Sequence, residues 1–140
     1  MLLPDTIMTL HSNQNLYDLV QSALTETGFT FLYKKEQDQN ILKTKGCVHV
    51  DQNSIVSLYE DKPETNLSQY NAFWCGFAFR KRTFDMCMQY MEKSTLKLKI
   101  DHNEIQSTPI YLSKAIQVED YVDLGTWKEI RRLLQNENNN

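Results

Sequence analysis

Several charged side chains stand next to residues that turn or stop the backbone. Asp123 precedes the Gly125-Thr126 pair in "YVDLGTW", and Asp61 and Lys62 precede a proline in "YEDKPE". A carboxylate at a strand end can bind a hard metal cation through its oxygens. Each motif also has a plainer interpretation, because an acid near a helix start is favoured by the helix dipole and a charged strand exit is ordinarily solvated. Taken separately, the motifs leave both interpretations open.

Histidine and cysteine form no comparable pattern. The three histidines are scattered, without the spacing of a zinc site or a catalytic triad. The three cysteines are an odd number with no CxxC pair, and two of them lie in apolar stretches. This usage indicates reduced thiols in a cytoplasmic protein, not a disulfide framework or a cysteine-ligated metal.

Composition limits the class of protein. The chain has 140 residues, enough for one domain with a hydrophobic core. Its net charge of -3 argues against binding to nucleic acid or anionic lipid. The start of the sequence lacks the basic region of a secretory signal, and the apolar run "AFWCGFAF" is too short to cross a bilayer. We therefore expect a soluble cytoplasmic protein, with a disordered polar tail over residues 135–140.

Alternating apolar residues predict a series of strands. "MLLPDTI" is apolar and ends in a polar turn, as a buried strand does, and "FTFLYKK" alternates. "GCVHVDQNSIVSLYE" predicts two strands joined at residues 51–54, and "YNAFWCGFAF" predicts another. Gly76 within this last strand marks a bulge or relieves crowding against Trp74.

Apolar residues at helical spacing predict three helices. The first two stripes consist of Leu16, Leu19, Val20, Ala23 and Leu24, and of Phe84, Cys87, Met88 and Met91. Stripes of this kind usually face the core. A third helix is predicted to start at Thr126, because Thr126 and Glu129 form a capping box. The pattern as a whole predicts an α/β domain.

Four segments together resemble the sugar-phosphate nucleotidyltransferases, the family that makes nucleoside-diphosphate sugars. "GCVHVDQNSIVSLYEDKPE", "NAFWCGFAF" and "YVDLGTW" occur in the order and rough spacing of that family's motifs. "MLLPDT" resembles its strand that ends in a metal-binding aspartate. The resemblance covers residues 1–134, which would form the C-terminal part of such a domain. It implies a partial Rossmann-like mixed sheet with flanking helices.

The resemblance also implies a reaction and a metal. A sugar 1-phosphate would attack the α-phosphate of a nucleoside triphosphate, and pyrophosphate would leave. Such transfer depends mostly on alignment and charge neutralisation, for which carboxylate-bound Mg²⁺ is suited. Asp5 and Asp123 match the two positions that hold this ion.

Five further residues match positions that contact the sugar phosphate. Lys62 corresponds to the lysine near the phosphate, and Asp61 to the acid that contacts sugar hydroxyls. Glu60 is the alternative acid, because the hairpin register is uncertain by one residue. At Gly76 the absence of a side chain would let the strand backbone approach the sugar, and Asn71 would contact the same ligand.

One essential motif of the family has no counterpart. The glycine-rich "G-x-G-T-R" loop and its catalytic lysine are absent among the four glycines of this sequence, so no residue is assigned a catalytic role. We expect an incomplete transferase, with polysaccharide biosynthesis as the usual setting of the family. A non-catalytic sugar-phosphate-binding module, an interaction surface and an unrelated α/β domain are the alternatives.

Association is a further expectation. In the family's sheet, the strand matching "MLLPDT" pairs with strands from the missing half, so here its edge would be uncovered. We expect burial by a second copy or by a separate nucleotide-binding half. The expected small-molecule partners are a sugar 1-phosphate and a nucleoside triphosphate.

Overall fold

The computed structural model describes residues 6–11, 14–98 and 103–125. The strands in this part of the chain are β1 (Thr6–Thr9), β2 (Phe29–Lys35), β3 (Gly46–Val50), β4 (Val56–Asp61), β5 (Ala72–Phe79), β6 (Ile116–Gln117) and β7 (Asp120–Asp123). The α-helices are α1 (Leu16–Ala23), α2 (Gln39–Leu42) and α3 (Phe84–Thr95). Short 3₁₀ turns cover Leu67–Gln69, Lys81–Thr83 and Glu104–Ser107.

The strands form two sheets. The larger sheet has the order β4-β3-β5-β2-β6, in which β2 and β6 are parallel and the other neighbours are antiparallel. The smaller sheet pairs β1 with β7, which joins the two ends of the described chain. This mixed sheet with flanking helices confirms the predicted fold class.

Alternating side chains of β2 supply both halves of the core. Phe29, Phe31 and Tyr33 are buried on one face, together with residues of α3. Leu32 is buried in a second cluster on the other face, together with Ala23 of α1. Because β2 lies inside the sheet and is covered on both faces, five of its seven residues are buried.

The first two predicted helices are confirmed. α1 begins after Asn15, whose side-chain oxygen accepts a hydrogen bond from the Tyr17 N–H at 2.8 Å. α3 buries Cys87 and Met91, as its apolar stripe predicts, although Phe84 at its first position is exposed. The short helix α2 was not predicted, because its four residues are too few for a periodic pattern.

The predicted strands after residue 28 are also present. The turn between β3 and β4 is organised by Asp51, whose side-chain oxygen accepts hydrogen bonds from the N–H groups of Asn53 and Ile55, each at 2.8 Å. The predicted strand over residues 1–7 lies mostly outside the described residues, as does the capping box of Thr126 and Glu129. Within the described ranges, the helices are too short or too polar to span a membrane.

Candidate functional site

Asp123 is the last residue of β7, where the sequence places a strand end. One carboxylate oxygen, Oδ1, accepts a hydrogen bond from the Gly125 N–H at 2.9 Å. The other, Oδ2, lies 3.1 Å from the ammonium nitrogen of Lys45. The hydrogen bond from Gly125, assisted by Lys45, lowers the pKa of Asp123 below its ordinary value. The side chain is therefore a carboxylate at neutral pH.

The other predicted metal ligand, Asp5, lies outside the described residues. Thr6, the next residue in the sequence, is the β1 partner of Asp123 across the small sheet. The described residues contain no group of three or more histidine, cysteine or acidic side chains that could hold a metal ion. Asp123 supplies a hard oxygen donor of the kind that Mg²⁺ prefers, but Lys45 already contacts that donor.

Two contacts attach β7 to the main sheet, and a third attaches the residue before β7 to β1. The Tyr121 ring packs edge-on against Phe73 of β5, with ring centroids 5.5 Å apart. Asp120 forms an ion pair with Lys34 of β2. The Glu119 N–H donates a hydrogen bond to the Thr9 carbonyl oxygen at 2.8 Å. Together these contacts hold the strand that positions Asp123.

Lys45 immediately precedes β3 and was not singled out by the sequence. Its ammonium lies 5.9 Å from the Phe73 ring centroid and 5.7 Å from that of Tyr121, within the range of cation–π attraction. Its carbonyl oxygen accepts a hydrogen bond from the Lys62 N–H at 2.9 Å. Lys45 therefore connects Asp123 with the end of the β3–β4 hairpin.

The hairpin end carries the predicted phosphate-binding lysine. Asp61 is paired with Gly46 across the hairpin, and its N–H donates to the Ser94 hydroxyl oxygen at 2.8 Å. Lys62 follows with a φ of 48°, a left-handed conformation that is uncommon for residues other than glycine. Lys97 donates to the carbonyl oxygens of both Asp61 and Lys62. The backbone is thus held in place while the Lys62 side chain is exposed.

Glu60 lies one residue earlier and has a different environment. Its Oε2 accepts a hydrogen bond from the Tyr70 hydroxyl at 2.7 Å. Burial, together with this hydrogen bond, raises the pKa of Tyr70, so the hydroxyl keeps its proton. Glu60 also lines a polar cavity of about 180 Å³ beside the β4 edge, with Gln69, Tyr90 and other polar residues.

The side chain of Asn71 forms hydrogen bonds with the backbone of β3. Its Nδ2 donates to the Val50 carbonyl oxygen at 2.8 Å, and its Oδ1 accepts from the Val50 N–H at 3.0 Å. Val50 lies beside a register irregularity between β3 and β4. It is also four residues from Gly46, roughly 13 Å along an extended strand. The structure therefore places Asn71 away from Lys62 and Asp123, in contacts that stabilise the sheet.

We predict that Asn71→Ala costs about 2 kcal/mol of stability, because both Val50 backbone groups would lose their partner. Urea unfolding of the wild type and the variant measures this. Asn53→Ala, at an exposed position of the β3–β4 turn, is the matched control and is expected to change stability by less than about 0.5 kcal/mol. Equal stability of the two variants would show that the two hydrogen bonds between Asn71 and Val50 do not stabilise the protein.

Gly76 is buried within β5 and pairs with Leu32 of β2. The register between β2 and β5 shifts immediately afterwards, between Leu32 and Tyr33. This irregularity agrees with the bulge that a glycine within a strand predicts. Trp74, the residue named with it in the sequence analysis, instead crowds Gly46 on β3.

The structure thus groups part of the predicted site. Asp123, Asp61 and Lys62 are joined through Lys45 at one end of the sheet, and Glu60 is the neighbour of Asp61 on the same strand. Asn71 lies further along β3. Lys45 could have been found from sequence only as the residue before the hairpin glycine, which is a weak signal.

Comparisons with known proteins show which solved structures share this architecture. No protein-family model matches the chain, and no curated protein matches it. A UTP-bound UGPase from Acinetobacter baumannii superposes with a TM-score of 0.65 at 15% identity, over 97% of this chain and 49% of the other. A UDP-glucose pyrophosphorylase from the same organism gives a TM-score of 0.64 at 14% identity, over 96% and 48%.

A third structure gives the same picture. A Bacillus anthracis protein assigned as a glucose-1-phosphate thymidylyltransferase, solved in complex with sucrose, has a TM-score of 0.60 at 15% identity, over 94% of this chain and 50% of the other. The chain spans about half the length of the structures it matches. These likenesses show the fold: the described residues have the mixed α/β architecture found within sugar nucleotidyltransferases.

Proposed function

We propose that this chain binds a sugar 1-phosphate as one part of a nucleotidyltransferase-like site. The observation that carries the proposal is the meeting of Asp123, Lys45 and the Asp61-Lys62 hairpin end at one end of the sheet. The proposal is supported by the shared fold with UDP-glucose pyrophosphorylase. It is also supported by the family motifs, because these put Asp61, Lys62 and Asp123 at functional positions.

The charges at this end of the sheet suit an anionic ligand. A sugar phosphate needs cationic donors for its phosphate and acceptors for its hydroxyl groups. The exposed Lys62 ammonium is the proposed phosphate donor. Its backbone is held in the left-handed conformation by Lys45 and Lys97, a local strain of the kind that often occurs at ligand sites. Asp61 or Glu60 would accept hydrogen bonds from the sugar.

Mg²⁺ is part of the proposal. Asp5 and Asp123 would hold the ion, whose chemistry is to neutralise charge on phosphate oxygens. Asp123 contributes a carboxylate whose lowered pKa keeps it ionised at neutral pH. Lys45 would have to release Oδ2 for that oxygen to serve as a ligand.

Catalysis by this chain alone is not proposed. The complete reaction, from a nucleoside triphosphate and a sugar 1-phosphate to a nucleoside-diphosphate sugar and pyrophosphate, also requires groups that grip the triphosphate. The sequence has four glycines and no glycine-rich loop of that type. We propose that a separate nucleotide-binding half, or a second copy of the chain, associates with it. A binding module without turnover is the second candidate, favoured by the same absence.

Thermal unfolding with glucose 1-phosphate tests the binding proposal. A ligand that binds the folded state raises Tm, in proportion to the logarithm of its concentration above Kd. Lys62→Ala is expected to weaken binding by about tenfold or more, because a charge-assisted hydrogen bond to phosphate is lost. Lys81→Ala, at an exposed position in the 3₁₀ turn after β5, is the matched control and should bind like the wild type.

The same samples separate the candidates. Stabilisation by glucose 1-phosphate but not by glucose supports the proposed phosphate contact. No stabilisation by any sugar 1-phosphate, with or without Mg²⁺, would refute the binding proposal. Release of pyrophosphate from a nucleoside triphosphate by the chain alone would instead refute the proposal that it is incomplete.

A further inference from the structure

The ammonium of Lys45 contacts Oδ2 of Asp123, an oxygen that a cation bound by this carboxylate could also use. Its nitrogen lies 3.1 Å from Oδ2, and both side chains are about one-third exposed, at 30% for Lys45 and 32% for Asp123. We propose that Lys45 is a built-in competitor of divalent cations at Asp123, and that it controls when this carboxylate is available to a metal ion. The inference deepens the proposed function and, for its coupling to the sugar phosphate, rests on it.

Electrostatics make the two cations exclude each other. An ion that binds Oδ2 directly would lie within a few ångströms of the ammonium, unless the ammonium moves. Repulsion between a divalent and a monovalent charge about 5 Å apart, even at the dielectric constant of water, weakens binding by roughly tenfold. The partly buried position of the pair reduces screening by water and salt, so this is a minimum.

The aromatic rings make Lys45 a persistent competitor. Its ammonium is held by the faces of Phe73 and Tyr121 as well as by Asp123. Tyr121 is on β7, two residues before Asp123, so the strand that carries the carboxylate also carries a ring that retains the lysine. An ordinary exposed lysine would have neither ring contact and would leave more readily.

The proposed phosphate site provides a second partner for Lys45. The carbonyl oxygen of Lys45 accepts the Lys62 N–H, so the two lysines are joined through their backbones at the hairpin end. The Lys45 stem has four rotatable bonds and carries three donors. A phosphate bound at Lys62 would attract the Lys45 ammonium and release Asp123. Anion binding and metal binding would then favour each other, as linkage requires.

A Mn²⁺ titration tests the competition without any activity assay. Electron paramagnetic resonance of the free ion measures how much Mn²⁺ the protein binds. Lys45→Met should raise Mn²⁺ affinity by about tenfold over the wild type. Lys93→Met is the matched control, because Lys93 of α3 pairs with Glu104 and contacts neither Asp123 nor β7, and it should leave the affinity unchanged. Adding Asp123→Asn to Lys45→Met should remove the gain. Circular dichroism checks that each variant is folded.

Two results would overturn the competition. One is Mn²⁺ affinity of Lys45→Met no higher than that of the wild type or of Lys93→Met. The other is a gain that persists in the double variant with Asp123→Asn, since the metal would then bind elsewhere.

The coupling is tested by repeating the Mn²⁺ titration with glucose 1-phosphate. The wild type should bind Mn²⁺ about fivefold or more tightly with the sugar phosphate than without it, and Lys45→Met should show a smaller change. An equal change in both proteins would refute the coupling through Lys45. If glucose 1-phosphate does not bind at all while Lys45→Met still gains affinity, the proposed function fails and the competition stands.

Discussion

Gly46→Ala is expected to destabilise the protein by about 3 kcal/mol or more, toward the upper end of overpacking effects. A Cβ atom at this position would lie 1.9 Å from Nε1 of Trp74 and within 3 Å of two other indole atoms. Phe31 and Phe77 pack around the indole, with ring centroids 6.3 and 5.7 Å away, which limits its movement. Urea unfolding monitored by circular dichroism measures the loss.

A double-mutant cycle identifies the cause. Trp74→Val shortens the side chain that meets the new Cβ, so Gly46→Ala in this background should cost less than about 1 kcal/mol. A similar cost in both backgrounds would show that the Gly46 backbone, and not the indole, is responsible. A small loss of stability for Gly46→Ala in the wild-type background would contradict the close contact between Trp74 and Gly46.

Alkaline pH is expected to destabilise the fold through its three thiols. Burial raises the pKa of Cys47, Cys75 and Cys87 to about 12, from 9.0 for a free thiol. Between these values the unfolded chain loses thiol protons that the folded chain keeps, so stability falls as pH rises. Each thiol contributes a slope of about 1.4 kcal/mol per pH unit, or about 4 kcal/mol per unit for all three.

Unfolding in urea with a reducing agent, at several pH values between 8.5 and 10.5, measures this slope. Cys87→Ala is the informative variant, because burial is the cause of its raised pKa and no charged neighbour contributes. Its truncation lowers stability at every pH and should also reduce the slope by up to about 1.4 kcal/mol per pH unit, the contribution of one thiol. A slope unchanged by Cys87→Ala would exclude that thiol as a source. Burial of the tyrosines acts in the same direction, raising the pKa of Tyr90 to about 12.

Much of the main sheet could be predicted from local patterns. β2 to β5 and helices α1 and α3 follow the predicted segments, because the alternation of apolar residues depends on which face of a strand or helix is buried. β6 could not be predicted, since two residues contain no period. α2 was also missed, because it is four residues long and its Asp38 cap resembles an ordinary turn.

Some features of the candidate site follow from sequence motifs, and others depend on the tertiary structure. Family motifs selected Asp61, Lys62 and Asp123, and the structure joins these residues at one end of the sheet. The motifs also selected Asn71, whose side-chain amide forms two hydrogen bonds with the backbone of Val50. A motif specifies a residue type at a spacing, but the available hydrogen-bond partners depend on the neighbouring strand.

The sequence by itself determined the fold class, the principal strands and helices, and the position of Asp123 at a strand end, because each depends on residues close together in the chain. Only the tertiary structure decided that Lys45 is the counter-ion of Asp123. The two are 78 residues apart. They meet because Tyr121 of β7 packs onto Phe73, and the ammonium of Lys45, the residue before β3, lies over the same Phe73 ring. Pairing between distant segments depends on sheet register and side-chain packing, which no local pattern encodes.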